Sequence, residues 1–348
     1  MVQSPAKDLV NSSQRIRQDI HQLQTDLVKW RRYLHQRPEL GFKEKLTSEY
    51  VASLLTEWGV PHQTGIAHTG IVATLVGQGS SAPHKVLAVR ADMDALPIQE
   101  ENEVPYRSIH DGCMHACGHD GHTAIALGLA KYLSQHLDQL NGTVKIIFQP
   151  AEEGPGGAKP MIEEGVLKNP DVDAIIGLHV WNSMPLGTVG VKSGPLMAAV
   201  ELFDCTIQGK GGHGALPHQT VDAIVVTSAI VNALQSIVAR NINPIESAVV
   251  TVGQFNAGTA KNVIADSAHF SGTVRYFNPQ FKSFIAKRVE EIISGICQTY
   301  GATYHLNYTH LYPPVINNTS MAELIASVAD DKKLIFVGKK ATRLMKKG

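Results

Sequence analysis

The chain has 348 residues, 43% of them hydrophobic and 18% charged, with no formal net charge. That length exceeds one comfortable hydrophobic core, so two domains, or one domain with a large insertion, are expected. The balanced charge argues against a nucleic-acid or anionic-membrane partner and leaves a small molecule as the expected one.

The N-terminal stretch MVQSPAKDLVNSSQRIRQDI has no apolar region ahead of a small-residue cleavage site, and no later run reaches the roughly eighteen apolar residues of a membrane span. A cytoplasmic location is expected. Cysteines 113, 117, 205 and 297 show no framework spacing and are expected to be reduced.

In chain order, Leu9, Ile16, Ile20, Leu23, Leu27, Trp30 and Leu34 recur at helical spacing from Asp8 to about His35, and Pro38 ends the run. A second helix is predicted over 47–58, stopping at Gly59. Short apolar runs at 71–77, 85–92, 143–153 and 173–181 read as buried strands, with helices near 121–137 and 157–167 between the later ones. This alternation indicates an α/β domain, a mostly parallel sheet with flanking helices.

Beyond Gly194-Pro195 the pattern changes. A strand at 199–209, a helix near 220–240, strands at 247–255 and 267–277, a helix at 279–299 and a strand at 302–308 give the order βαββαβ. That order predicts an inserted ferredoxin-like α+β domain over 196–309, with 1–195 and 310–348 forming the catalytic domain.

Ligands of open α/β sheets bind beyond the carboxyl ends of the strands. There the sequence places Asp92 and Asp94, Cys117 and His119 ahead of a helix, Glu152 and Glu153, and His179. Packing would favour apolar residues at these positions, so a metal site explains them together. A thiolate and an imidazole suit zinc or a neighbouring transition metal, and Glu153 and His179 add oxygen and nitrogen. Glu152 is then left over as a general base toward water, and Cys117 is a candidate bridge between two ions. Two bland readings compete. Cys113, His115, Cys117 and His119 could form a closed structural zinc knuckle, and His179 alone could be a hydrogen-bonded core histidine. Cys113, His115 and His122 are read as packing or supporting residues. GKGGHG at 209–214 matches G-x-G-x-x-G, but Pro217 sits where a phosphate-binding helix should be running, so a nucleotide site is not expected.

The motifs RADMDALP (90–97), MHACGHDGH (114–122), FQPAEEGPGGA (148–158), GLHVW (177–181), GKGGHGALPH (209–218) and NVIAD (262–266) together resemble the M20 metallopeptidase family, in its amidohydrolase branch. The resemblance implies a metal-dependent amidohydrolase acting on N-acyl or N-aroyl amino acids. It implies two divalent ions, zinc or manganese first and cobalt or nickel next, held by Cys117, His119, Glu153 and His179. Glu152 would be the general acid/base and Asp94 would orient a ligand imidazole. His213 would support the oxyanion, and Asn262 and Arg275 would hold the substrate, in a lid domain that also forms a homodimer. The family's last metal ligand comes from a histidine motif near the C-terminus, whereas the residues after Asp330 hold six lysines and no histidine. Reduced stability and incomplete metal occupancy are therefore expected. The rival expectation is a catalytically impaired relative that binds metal or substrate without turnover.

Overall fold

The computed structural model describes residues 16, 18–79, 84–154, 156–331 and 335–336. Its contacts divide the chain into two compact units, Met1–Ser183 and Met184–Gly348.

The first unit opens with helices α1 (Gln24–Gln36) and α2 (Lys45–Glu57). Helix α1 stops just ahead of Pro38, which cannot supply the next backbone N–H, and α2 yields to Gly59 at φ 68°. The first eight residues of the long predicted helix, 8–15, lie outside the described residues. Strands β1 (His62–Ile66), β2 (Gly70–Val76), β3 (Val86–Asp92), β4 (Thr143–Gln149) and β5 (Ala174–Gly177) form one sheet in the order β1-β2-β4-β3-β5. The pairs β4–β3 and β3–β5, toward the β5 edge, are parallel, as expected for strands joined by helices α3 (His119–Ser134) and α4 (Ala158–Glu163). The opposite edge is an antiparallel hairpin, β1–β2, and β2 also runs antiparallel to β4. Sequence patterning did not reveal β1, because HQTGI is short, largely polar and exposed at its centre. Trp30, Leu55, Ile71, Leu127, Ile146 and Phe148 fill the core between the sheet and α1, α2 and α3.

The second unit begins with the short strands β6 (Thr188–Val189) and β7 (Gly194–Met197), followed by β8 (Ala199–Gln208) and β9 (Gly212–His213). Then come α5 (Ala223–Ser236), β10 (Ala248–Ala257), β11 (Val263–Ile264), β12 (Ser267–Tyr276), α6 (Phe281–Tyr300) and β13 (Thr303–Tyr312). Strands β14 (Val315–Asn317) and β15 (Ile335–Phe336) flank helix α7 (Thr319–Asp331). The long strands make an antiparallel sheet ordered β10-β12-β8-β13, the ferredoxin-like arrangement read from the sequence. Asp222 caps α5 by accepting from the backbone N–H of Ile224 and Val225, and Gly301 at φ 74° closes α6. Strand β14 pairs with β7 and β15 with β6, so the stretches on either side of the ferredoxin-like strands pair with each other.

Alternation along β8 turns Phe203, Cys205 and Ile207 toward α5 and α6, where Val226, Ile230, Val289 and Ile293 meet them. Among the described residues one helical stretch, Ala223–Asn241, is long and apolar enough to cross a membrane, but its Val226, Ile230, Leu234 and Ile237 line this core. Phe270 is fully buried there and meets Phe203 edge-on at 6.1 Å. Phe270→Ala is expected to cost about 3–5 kcal/mol in urea unfolding. A loss below about 1 kcal/mol would show that the cluster is not packed as described.

Candidate metal centre

Four chain segments of the first unit deliver the site. Strand β3 ends at Asp92 and leads through buried Met93 to Asp94, and α3 begins at His119 after Cys117 and Gly118. Beyond β4 the chain turns at Ala151, φ 52°, into Glu152 and Glu153, and β5 ends at Gly177, two residues before His179.

His119 is fully buried and its orientation is fixed. Its Nδ1–H donates to the Asp94 carbonyl at 2.9 Å and lies 3.2 Å from Asp94 Oδ1. The other oxygen of Asp94 accepts the Glu153 backbone N–H at 2.9 Å, so one carboxylate sets both the imidazole and the β4 turn. Nε2 of His119 therefore faces the cluster, 3.6 Å from Asp92 Oδ2, 3.9 Å from Glu153 Oε1 and 4.0 Å from Glu152 Oε2. His119 Nε2, Asp92 Oδ2 and Glu153 Oε1 are buried and make no hydrogen bond, although Asp92 Oδ2 also lies 2.7 Å from Arg90 Nη1. Such atoms are costly unless a further group satisfies them. On the other side, Cys117 Sγ is 3.3 Å from His179 Nε2, whose ring is turned by Nδ1–H donating to the Val180 carbonyl at 2.6 Å. Three overlapping sets share His119: with Cys117 and His179, with Glu152 and Glu153, and with Asp92 and His122, each with ligand-type atoms within 4.8 Å of one another.

The acidic and thiol groups suit a bound cation. Burial pulls the His119 pKa down, but Asp94, Cys117 and Asp92 outweigh it and raise the value well above the ordinary one. Burial, with Asp92 and Glu153 nearby, raises Glu152 against the pull of Arg90 and His119. The Cys117 thiol is favoured as thiolate by His119, yet burial and Glu153 raise its pKa overall. Acidic groups thus crowd a site in which Arg90, 2.7 Å from Asp92 Oδ2, and His119 oppose them.

The sequence-read residues Asp94, Cys117, His119, Glu152, Glu153 and His179 come together here. Asp92, expected with them at the end of β3, and His122, expected as a packing or supporting residue, join them. The knuckle grouping does not form: Cys113 Sγ lies 3.6 Å from the Pro38 carbonyl, and buried His115 turns toward His35, ring centroids 6.4 Å apart. The reading of a missing last ligand concerns residues 332–334 and 337–348, which lie outside the described residues.

Behind α3 lies a network that the sequence did not reveal. Asp120 accepts from His35 at 2.7 Å and pairs with Arg31 at 2.8 Å, and the second nitrogen of His35 meets Glu100 at 3.1 Å. Burial lowers the His35 pKa, but Asp120 and Glu100 outweigh it, so the net shift is upward from 6.5. A histidine raised on folding contributes stability that is complete below its unfolded pKa and is lost as pH rises through the folded one. Wild-type stability in urea is therefore expected to fall above about pH 6.5, and His35→Asn should lack that component. Parallel stability curves for the two proteins would contradict the pairing.

The remaining predicted residues belong to the second unit. His213 on β9 pairs with Val263 on β11, and Gly214 N–H donates to the Asn262 carbonyl at 2.9 Å, so His213 and Asn262 share one exposed loop pair. The glycines of 209–214 serve that closeness: a Cβ at Gly214 would sit 2.9 Å from the Asn262 oxygen, and one at Gly209 would sit 2.2 Å from the Val221 oxygen. A short 3-10 turn, Pro217–Gln219, follows instead of a phosphate-binding helix. Arg275 lies on β12 between the buried Val274 and Tyr276, on the sheet face away from the helices, and donates to the Val274 carbonyl at 3.0 Å.

Comparison with known proteins accords with this geometry. The profile of peptidase family M20/M25/M40 matches residues 88–347. The N-acyl-L-amino acid amidohydrolase of Geobacillus stearothermophilus is 44% identical over 307 residues, covering 88% of this chain and 82% of that protein. The N-acetyl-L-cysteine deacetylase of Bacillus subtilis is 42% identical over 312 residues, covering 90% and 74%. The crystal structure of the Bacillus subtilis YXEP protein, a dinuclear metal binding peptidase from the M20 family, is similar with a TM-score of 0.76 and 37% identity, covering 90% of this chain and 81% of that one. A matched profile over most of the chain, relatives above 40% identity and acidic, thiol and imidazole groups gathered at the strand ends lead to one conclusion: this chain belongs to peptidase family M20/M25/M40 and is a hydrolase.

Proposed function

We propose that the protein is a metal-dependent amidohydrolase that splits the amide of an N-acyl or N-aroyl amino acid into a carboxylic acid and a free amino acid. The observation that carries this reading is the convergence of two buried atoms without hydrogen bonds, His119 Nε2 and Glu153 Oε1, with Asp92 and the Cys117–His179 pair beside them. Cys117, His119, Glu153 and His179 would hold two divalent ions, zinc or manganese, with cobalt or nickel as further candidates, and the dinuclear YXEP protein supports that number. Ions held there would polarise the scissile carbonyl and lower the pKa of neighbouring water.

The protein's own groups account for the rest. Asp94 holds the His119 ring with Nε2 turned into the site. The Glu152 carboxylate accepts a proton as water oxygen bonds to the acyl carbon, and returns it to nitrogen as the carbon–nitrogen bond breaks. His213 supports the oxyanion, and Asn262 and Arg275 hold the substrate, with the guanidinium pairing with its carboxylate. The segment 196–309 acts as a lid and as the homodimer interface, and the free state of all four cysteines supports a cytoplasmic setting.

The test is a panel of N-acetyl, N-benzoyl and indoleacetyl amino acids with purified protein and added zinc or manganese. Turnover of at least one member supports the reading. Folded, metal-loaded protein that turns over none of them favours binding without catalysis.

A further inference from the structure

We propose that His122 is a positioning residue that fixes His179 through the backbone of Val180, and is not a ligand of the Asp92–His119 group. The inference rests on the proposed metal site and names the groups through which His122 supports it.

Both ring nitrogens of His122 are already used. Nε2 accepts the Val180 backbone N–H at 2.9 Å, so it carries a lone pair and Nδ1 carries the proton, which goes to Asp92 Oδ1 at 2.6 Å. Ligation through either nitrogen would give up one of these bonds inside a buried site. His122 and Asp92 are 2% and 0% exposed, so a bond given up there is not replaced by bulk water.

What the ring holds is the segment that carries His179. Strand β5 stops at Gly177 on the sheet edge, and Leu178, His179, Val180 and Trp181 are all exposed. The Val180 N–H to His122 is the backbone tie between this segment and α3. A second contact seats the same residue: a Cβ at Gly118 would lie 2.4 Å from Val180 Cγ2, so the valine packs where only glycine leaves room. The rings of His122 and His179 then meet edge to face at 4.8 Å, and His179 Nε2 arrives 3.3 Å from Cys117 Sγ. Helix α3 thus presents His119 from its first residue and, one turn on, anchors the loop that presents His179.

Two conservative variants separate the roles of the two nitrogens. Asn places its amide near the Nδ1 position, keeping a donor for Asp92 and losing the acceptor for Val180. Gln reaches the Nε2 position and keeps that acceptor. The full chain, stripped of metal, is titrated with zinc ions against a chromophoric chelator, and exchange of the Val180 amide is followed by NMR in the metal-free proteins. His122→Asn is expected to weaken zinc binding by about 10- to 100-fold and to expose the Val180 amide, while His122→Gln stays close to wild type in both. Equal weakening in both variants would overturn the proposal in favour of direct ligation. Unchanged zinc affinity in His122→Asn, whatever its melting temperature, would reduce the contact to a structural one. Wild-type protein that binds no zinc would remove the metal-site reading itself, whereas protection of Val180 in the metal-free chain reports on the tie alone.

Discussion

Glu152→Gln is expected to lower kcat by about 10²- to 10⁴-fold, with metal content and melting temperature close to wild type. The effect is large because the carboxylate stands at the candidate ligands, 4.0 Å from His119 Nε2, where a reacting water would lose its proton. Its side chain is 40% exposed at the rim, while Glu153 beside it is 22% exposed and turned toward His119. Desolvation and the neighbouring carboxylates raise its pKa, which strengthens it as a base. The amide keeps shape and polarity but cannot take a proton. Steady-state kinetics on the most active panel substrate decide the matter. An equal fall in kcat for Glu152→Gln and for a surface change such as Glu163→Gln, on the exposed end of α4, would show that Glu152 has no special part.

His119→Ala should reduce kcat/KM by at least about 10³-fold, since loss of the ions forfeits several kcal/mol of transition-state stabilisation at about 1.4 kcal/mol per decade. His119 belongs to all three candidate ligand sets, so its loss affects each of them. Its removal also strands Asp94, which would keep the Glu153 backbone bond but lose the imidazole it orients. Chelator treatment of the wild type should reproduce the loss, and added zinc or manganese should restore activity to wild type but not to the variant. Elemental analysis after dialysis checks the cause. Retained metal at wild-type stoichiometry in the variant would contradict the assignment of His119.

Much of this site was legible because chemistry and packing make opposite demands at a strand end. Glu152 and Glu153 stand where apolar side chains would otherwise extend the buried strand β4, whereas β5 ahead of His179 is a half-exposed edge strand; the three nonetheless come together. Asp92 and His122 carried a weaker signal. His122 lies three residues after His119, a spacing that puts both rings on one helical face, and that periodicity could have paired them. The Asp120–His35–Glu100 network had no local signature, since its partners are 85 and 65 residues apart in the chain. The antiparallel edge of the first sheet was hidden for a related reason: β1 is too exposed to show a buried pattern, and its place is set by pairing with β2. The order of the second unit, by contrast, followed from local strand and helix patterns such as the alternation along β8.

Reconstitution tests the central claim most directly. Metal-free protein is titrated with zinc or manganese while hydrolysis of an N-acyl amino acid is followed. The account predicts turnover that is absent without metal, grows with added ion, and fails to appear in Glu152→Gln under the same loading. Turnover that is indifferent to metal, or that survives in Glu152→Gln, would contradict it.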